Sequence, residues 1–149
     1  MYLIGVTGFD MKPRLGPVDF PAVPEGKPDF VSEEHIPGNA GIMYRIHHGR
    51  NPLHIDPEVS RLAGYEQPII HGLCWMGHTV RAVQQHFFKD DPSIMQSMTV
   101  RFASHVFPGD TLVVSAWKVG NTIIFTMQTK QRGLTCLRGC IEISQSMNL

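Results

Sequence analysis

The amino-acid sequence predicts an α+β domain in which an antiparallel sheet wraps one long helix. Three observations predict it. From Gly72 onward, Leu73, Met76, Val80, Val83 and Phe87 recur at spacings of three and four, one apolar stripe over about four helical turns. After Asp90-Asp91-Pro92 the period falls to two, with Met98, Val100 and Phe102 alternating with Thr99, Arg101 and Ala103 as in a half-buried strand. Thr111 to Val119, Thr122 to Gln131 and Leu134 to Ile143 then follow as strands. They are separated by Gly120-Asn121 and Arg132-Gly133, pairs suited to tight turns, so the tail reads as an antiparallel meander.

The remaining elements follow in chain order. Six of the eleven prolines (Pro13, Pro17, Pro21, Pro24, Pro28, Pro37) fall in the first forty residues, a density that removes backbone donors from helices and ladders. Residues 1–38 are therefore read as an extended lead-in. Its apolar residues Tyr2, Leu3, Ile4, Phe9, Phe20 and Phe30 are expected to lie along the surface of the domain formed by residues 39–149. Ile42 to Ile46 reads equally as helix or strand. Asp56-Pro57 is a helix start, because the Asp side chain accepts first-turn amides and proline fits the first helical position; Gly64 stops that helix.

A chain of 149 residues is one domain with room for a hydrophobic core. Thirteen Lys and Arg balance thirteen Asp and Glu, so no basic field exists to hold nucleic acid or an anionic membrane surface. No apolar run approaches the roughly 18 residues that span a bilayer. The three cysteines are an odd number, and no basic leader precedes an apolar stretch, so a reduced setting is expected, cytoplasmic or else peroxisomal.

Chemistry concentrates in two places. Tyr44 to Pro57 holds His47, His48 and His54, three of the eight histidines within eight positions. Their spacing, and that of His71 and His78, is not that of a helix-borne metal pair, and no cofactor or metal is expected. Pro68-Ile69-Ile70-His71-Gly72 runs directly into the long helix, which sets the Gly72 amide where unpaired donors meet a developing negative charge. His78, Arg81 and Gln85 read as the polar face of that helix. Cys136 and Cys140, four apart on a strand, read as two small thiols on one face.

Asn51-Pro52-Leu53-His54-Ile55-Asp56-Pro57, Leu62-Ala63-Gly64-Tyr65 and Pro68-Ile69-Ile70-His71-Gly72-Leu73-Cys74 together strongly resemble the MaoC-like (R)-specific enoyl-CoA hydratases. The likeness continues through Val100-Arg101-Phe102 and Phe107-Pro108-Gly109-Asp110-Thr111-Leu112 and covers about residues 28 to 143. The lead-in is similar to the segment before the catalytic half of the larger, two-repeat eukaryotic members. The resemblance implies a hot-dog fold, with the long helix as the sausage. It also implies an Asp and a His five residues later that hold the water adding to C3 of an enoyl thioester. A proton goes to C2 on the same face, and a glycine amide polarises the thioester carbonyl.

Transferred to this sequence, the histidine is His54 and the glycine is Gly72. Where the family carries Gly-Asp-x-Asn-Pro-Leu-His, this chain has His48-Gly49-Arg50-Asn51-Pro52-Leu53-His54, so Gly49 takes the place of the aspartate. Asp56 corresponds to a second, helix-capping aspartate. The catalytic candidates are accordingly His54, Gly72, Asn51 and His48, the last as a surrogate base; Gly49, His71 and Leu73 are the substrate-binding candidates. A general base contributes about 10²–10⁴-fold, so its replacement separates three readings. The first is a divergent hydro-lyase on an enoyl or β-hydroxyacyl thioester or related carbonyl compound, in secondary metabolism. The second is an isomerase or cyclase using the same pocket. The third is a non-catalytic acyl-binding subunit. Because one wrapped sheet leaves an unpaired edge, a homodimer is expected, with no nucleic acid or membrane partner.

Overall fold

The computed structural model describes residues 20–47, 49–89 and 91–144. In chain order the elements are β1 (Phe30–His35), α1 (Ala40–His47), α2 (Pro57–Leu62), α3 (Gly72–Phe87), β2 (Met95–Phe102), β3 (Thr111–Val119), β4 (Thr122–Thr129) and β5 (Thr135–Ile143). Single 3-10 turns lie at Pro52–His54 and Pro92–Ile94. The strands form one antiparallel five-stranded sheet in the order β1-β3-β4-β5-β2. With α3 packed into the same core as the sheet, this is an α+β hot-dog fold.

Most of the lead-in, residues 1–19, lies outside the described residues. From Phe20 the chain runs against the sheet: the Arg101 and Arg138 guanidinium groups sit 5.1 and 5.6 Å from the Phe20 ring centroid. Gly26 accepts from Trp117 Nε1 at 3.0 Å, and Asp29 accepts from the Lys118 amide at 2.8 Å. Between Pro28 and Pro37 every residue keeps its amide proton, and this window becomes β1, paired with β3 from Phe30↔Ala116 to His35↔Thr111. The Ile42 to Ile46 segment is helical, within α1. Asp56 caps α2 as expected, its carboxylate accepting from Glu58 N at 2.9 Å and Val59 N at 3.3 Å.

The helix α3 begins and ends where the stripe predicts, but its buried face is turned around the axis. Trp75, Thr79, Ala82, Val83 and Phe87 are buried, whereas Leu73, expected in the stripe, is 49% exposed. Residues 75, 79, 82, 83 and 87 share the same three-and-four spacing, so periodicity admits both phases. The indole supplies the larger apolar surface, and Thr79 satisfies its hydroxyl by donating to Trp75 O at 2.9 Å. The outer face ties the helix to the sheet edge: Glu34 on β1 accepts from Arg81 and lies 2.8 Å from His78 Nδ1. Phe102, expected half-buried, is 45% exposed, because it covers the start of α3 at the sheet edge.

The β3-β4-β5 meander forms as predicted, with Gly120 and Gly133 in the left-handed conformations that their turns require (φ +58° and +62°). A register shift after Met127 puts both Cys136 and Leu137 in the core, so Cys136 does not share the outward setting of Cys140. All three thiols are free, and burial raises each above its ordinary value, which keeps them protonated at neutral pH.

Candidate functional site

Three segments distant in sequence meet beside the N-terminus of α3. Asn51 caps the turn Pro52–His54 through Oδ1, which accepts from Leu53 N at 3.1 Å, and Pro52 supplies a preset φ at its first position. The buried Ser60 hydroxyl on α2 donates to Leu53 O at 2.8 Å, and the carbonyl of His54 packs against Gly41 of α1. The turn is therefore held from both sides. His54 Nδ1 lies 2.8 Å from Ile69 O. A carbonyl only accepts, so Nδ1 carries the proton and Nε2 of the neutral ring is left with a free lone pair.

The next residue along, Ile70, donates its amide to Val106 O at 2.8 Å. The Ile69-Ile70 backbone thus joins the His54 turn to the loop 103–110. His71 follows, with Nδ1 accepting from Leu73 N at 3.2 Å as the cap of α3, and its ring 5.0 Å from that of His54 and 5.2 Å from Tyr44. Gly72 is the first residue of the helix, so its N–H has no carbonyl of its own helix to donate to. Desolvation raises the Tyr44 phenol, with Cys74 adding to the effect, so Tyr44 remains a neutral donor over a wide pH range.

These segments enclose a cleft of about 450 Å³ lined by His54, Gly72, Trp75, Phe102 and His105, with Tyr65, Ile69 and Ile70 among the rest of its wall. Such a setting, apolar walls around a basic nitrogen and a free backbone donor, suits a small polarised carbonyl group.

Of the residues singled out from sequence, His54 and Gly72 line the cleft, and His71 stands against His54 from the helix cap. Asn51 is exposed and shapes the turn through its cap. Leu73 is half-exposed on α3 and is not among the residues that line the cleft. Gly49 is exposed in a left-handed conformation (φ +68°), and a Cβ there would meet nothing within 4 Å among the described residues. His48 lies outside the described residues. Three residues of the site were not singled out: Trp75, His105 and Gly41. Gly41 leaves no periodic trace, and His105 is a single histidine in a loop. Among the described residues no group of three or more His, Cys, Asp or Glu side chains is placed to hold a metal ion.

A family described as "MaoC like domain" matches residues 19–137. The chain is 38% identical over 146 residues to "Probable enoyl-CoA hydratase 2" of Dictyostelium discoideum, covering 95% of this chain and 49% of that protein. It is 37% identical over 121 residues to "Enoyl-CoA hydratase 2, peroxisomal" of Arabidopsis thaliana, covering 81% of this chain and 39% of that one. Among solved structures, a MaoC-like dehydratase from Phytophthora capsici superposes with a TM-score of 0.86 at 34% identity over 96% of this chain and 51% of that chain. The chain belongs to the MaoC-like dehydratase domain family. It spans about half or less of the length of these relatives.

Proposed function

We propose that this chain is a hydro-lyase that adds water to, or removes it from, an enoyl or β-hydroxyacyl thioester. His54 serves as the acid–base group, and the Gly72 amide receives the negative charge that develops on the thioester oxygen. The observation that carries this reading is the 2.8 Å contact of His54 Nδ1 with Ile69 O, which puts the proton on Nδ1 and leaves Nε2 as the accepting nitrogen of a residue that lines the same cleft as Gly72. Both curated relatives carry the name of the same activity. A second copy of the chain closes the open side of the cleft, a reading supported by the outer strands β1 and β2, which pair with no further strand among the described residues, and by the exposed Ile42, Met43 and Ile46 of α1. The setting is cytoplasmic or peroxisomal.

The test is hydration of crotonyl-CoA by the purified protein, followed through loss of the conjugated thioester. His54→Ala should lower kcat at least about a hundredfold with little change in melting temperature. Gly49→Asp meets no neighbour at Cβ among the described residues and has a conformation that Asp tolerates better than most residues, and it should raise the rate. Inactivity of both the unmodified protein and well-folded Gly49→Asp would refute the reading. It would favour an isomerase or cyclase that moves a proton without holding water, for which the missing carboxylate at Gly49 is the supporting observation.

A further inference from the structure

We propose that His105 is a second catalytic group of the His54 cleft, accepting a hydrogen bond from the attacking water in the role that Gly49 cannot fill. The proposal rests on the hydro-lyase reading above. His105 lines the same cleft of about 450 Å³ as His54 and Gly72. Neither of its ring nitrogens has a hydrogen-bond partner among the described residues, so a lone pair remains for a ligand.

The ring is held for this task. Tyr65 packs against it edge-on at 5.0 Å and Phe107 at 4.7 Å. Its backbone carbonyl accepts from Arg132 Nη2 at 3.1 Å and from Cys136 Sγ at 3.3 Å. The same Arg132 nitrogen bonds Asp110 at 2.6 Å, and Asp110 accepts from Phe107 N at 2.8 Å, so the loop 103–110 is clamped on both sides of His105. Through Ile70 N and Val106 O that loop is tied to the strand of backbone that orients His54. Two imidazoles carried on different segments are thereby fixed relative to one another.

Its charge state fits. Burial, followed by the Arg132 guanidinium, pushes the His105 imidazole below its ordinary value; Asp110 and Glu66 pull in the opposite direction without reversing it. Tyr65 and Cys136 are the other titratable groups against the loop, and His54 shares the cleft. At neutral pH the ring is therefore neutral and able to accept.

In the hydration step, the water oxygen bonds to C3 while the C2=C3 π pair moves to form a C1=C2 bond and the carbonyl π pair moves onto the thioester oxygen, giving an enolate beside the Gly72 N–H. His54 Nε2 takes one water proton and returns it to C2 as the electron pair moves back to form the C2–H bond and restore the carbonyl. The other hydrogen stays on oxygen as the product hydroxyl, and His105 accepts its hydrogen bond throughout.

The experiment compares His105→Phe, His105→Gln and His54→Ala in crotonyl-CoA hydration, with melting temperatures to verify folding. His105→Phe should lower kcat about a hundredfold with KM changed by less than about threefold. His105→Gln keeps an acceptor and should recover about tenfold of that loss, while the acid limb of the kcat–pH profile shifts. Saturated butyryl-CoA should shield His105 from acylation by diethyl pyrocarbonate, as read by peptide mass. Full kcat in both His105 variants beside an inactive His54→Ala would overturn the role of His105 and leave the hydro-lyase reading intact. Absence of hydration and of protection in the unmodified protein would overturn both.

Discussion

Replacing Gly41 by alanine tests whether the place of His54 is set by the close approach of α1 to the turn that carries it. The new Cβ would stand 2.7 Å from the His54 carbonyl oxygen, where ordinary contact begins at 3.4 Å, so the turn must retreat by about 0.7 Å. Both surfaces are backbone, and no rotamer relieves the overlap. A retreat of that size stretches the 2.8 Å link between His54 Nδ1 and Ile69 O to the limit of a hydrogen bond. Overpacking costs about 1–3 kcal/mol, and the helix propensity gained over glycine offsets at most about 1 kcal/mol of it, so Gly41→Ala should lose about 1–2 kcal/mol. A misplacement of about 1 Å costs about 10²-fold in rate, so kcat should fall by about tenfold or more. Urea denaturation and crotonyl-CoA turnover measure the two effects. Gly77→Ala, in α3 and with nothing within 4 Å of its added Cβ among the described residues, is the control and should stabilise by about 0.5–1 kcal/mol. Unchanged stability and turnover in Gly41→Ala would mean that the approach of α1 does not set the place of His54.

Two further outcomes follow from the same geometry. A Cβ at Gly72 would lie 3.2 Å from Phe102 Cε1, and the half-exposed ring can yield, so Gly72→Val should fold yet lose more than about tenfold in activity as its side chain enters the cleft; a fully active variant would remove the Gly72 amide from the reaction. The depressed His105 imidazole makes the unfolded chain the better proton binder, so stability should fall as pH drops below the ordinary value of 6.5; His105→Phe should flatten that dependence, as thermal unfolding between pH 5 and 7.5 would show.

Much of the fold is legible in the sequence because local rules decide it. The Asp56-Pro57 cap, the glycines of the two hairpins and the period-two runs act within a few residues of themselves, and β3, β4 and β5 pair with their sequence neighbours. The phase of α3 is different, since Leu73 and Trp75 each head a set of residues at helical spacing. Only the sheet packed against the helix selects the indole. The same holds for β2, which follows the long helix in sequence yet pairs with β5, on the far side of the meander.

The site divides along the same line. His54 and Gly72 stand in short strings whose residue types announce them, because a capped turn and a helix start are built by adjacent residues. His105 and Gly41 have no such local mark. His105 owes its neutral imidazole to burial and to Arg132, 27 residues further on, whose guanidinium holds its backbone carbonyl. Gly41 owes its importance to a carbonyl oxygen on another segment, 2.7 Å from where a side chain would begin. Adjacent residues set α2, α3 and the meander and place His54 and Gly72 in their local motifs, whereas β1 within the proline-rich lead-in and the helical state of α1 emerge only in the folded chain. Contacts between distant segments selected the helix face, the strand order and the second histidine of the cleft, because desolvation and close contact arise between segments that only the folded chain brings together.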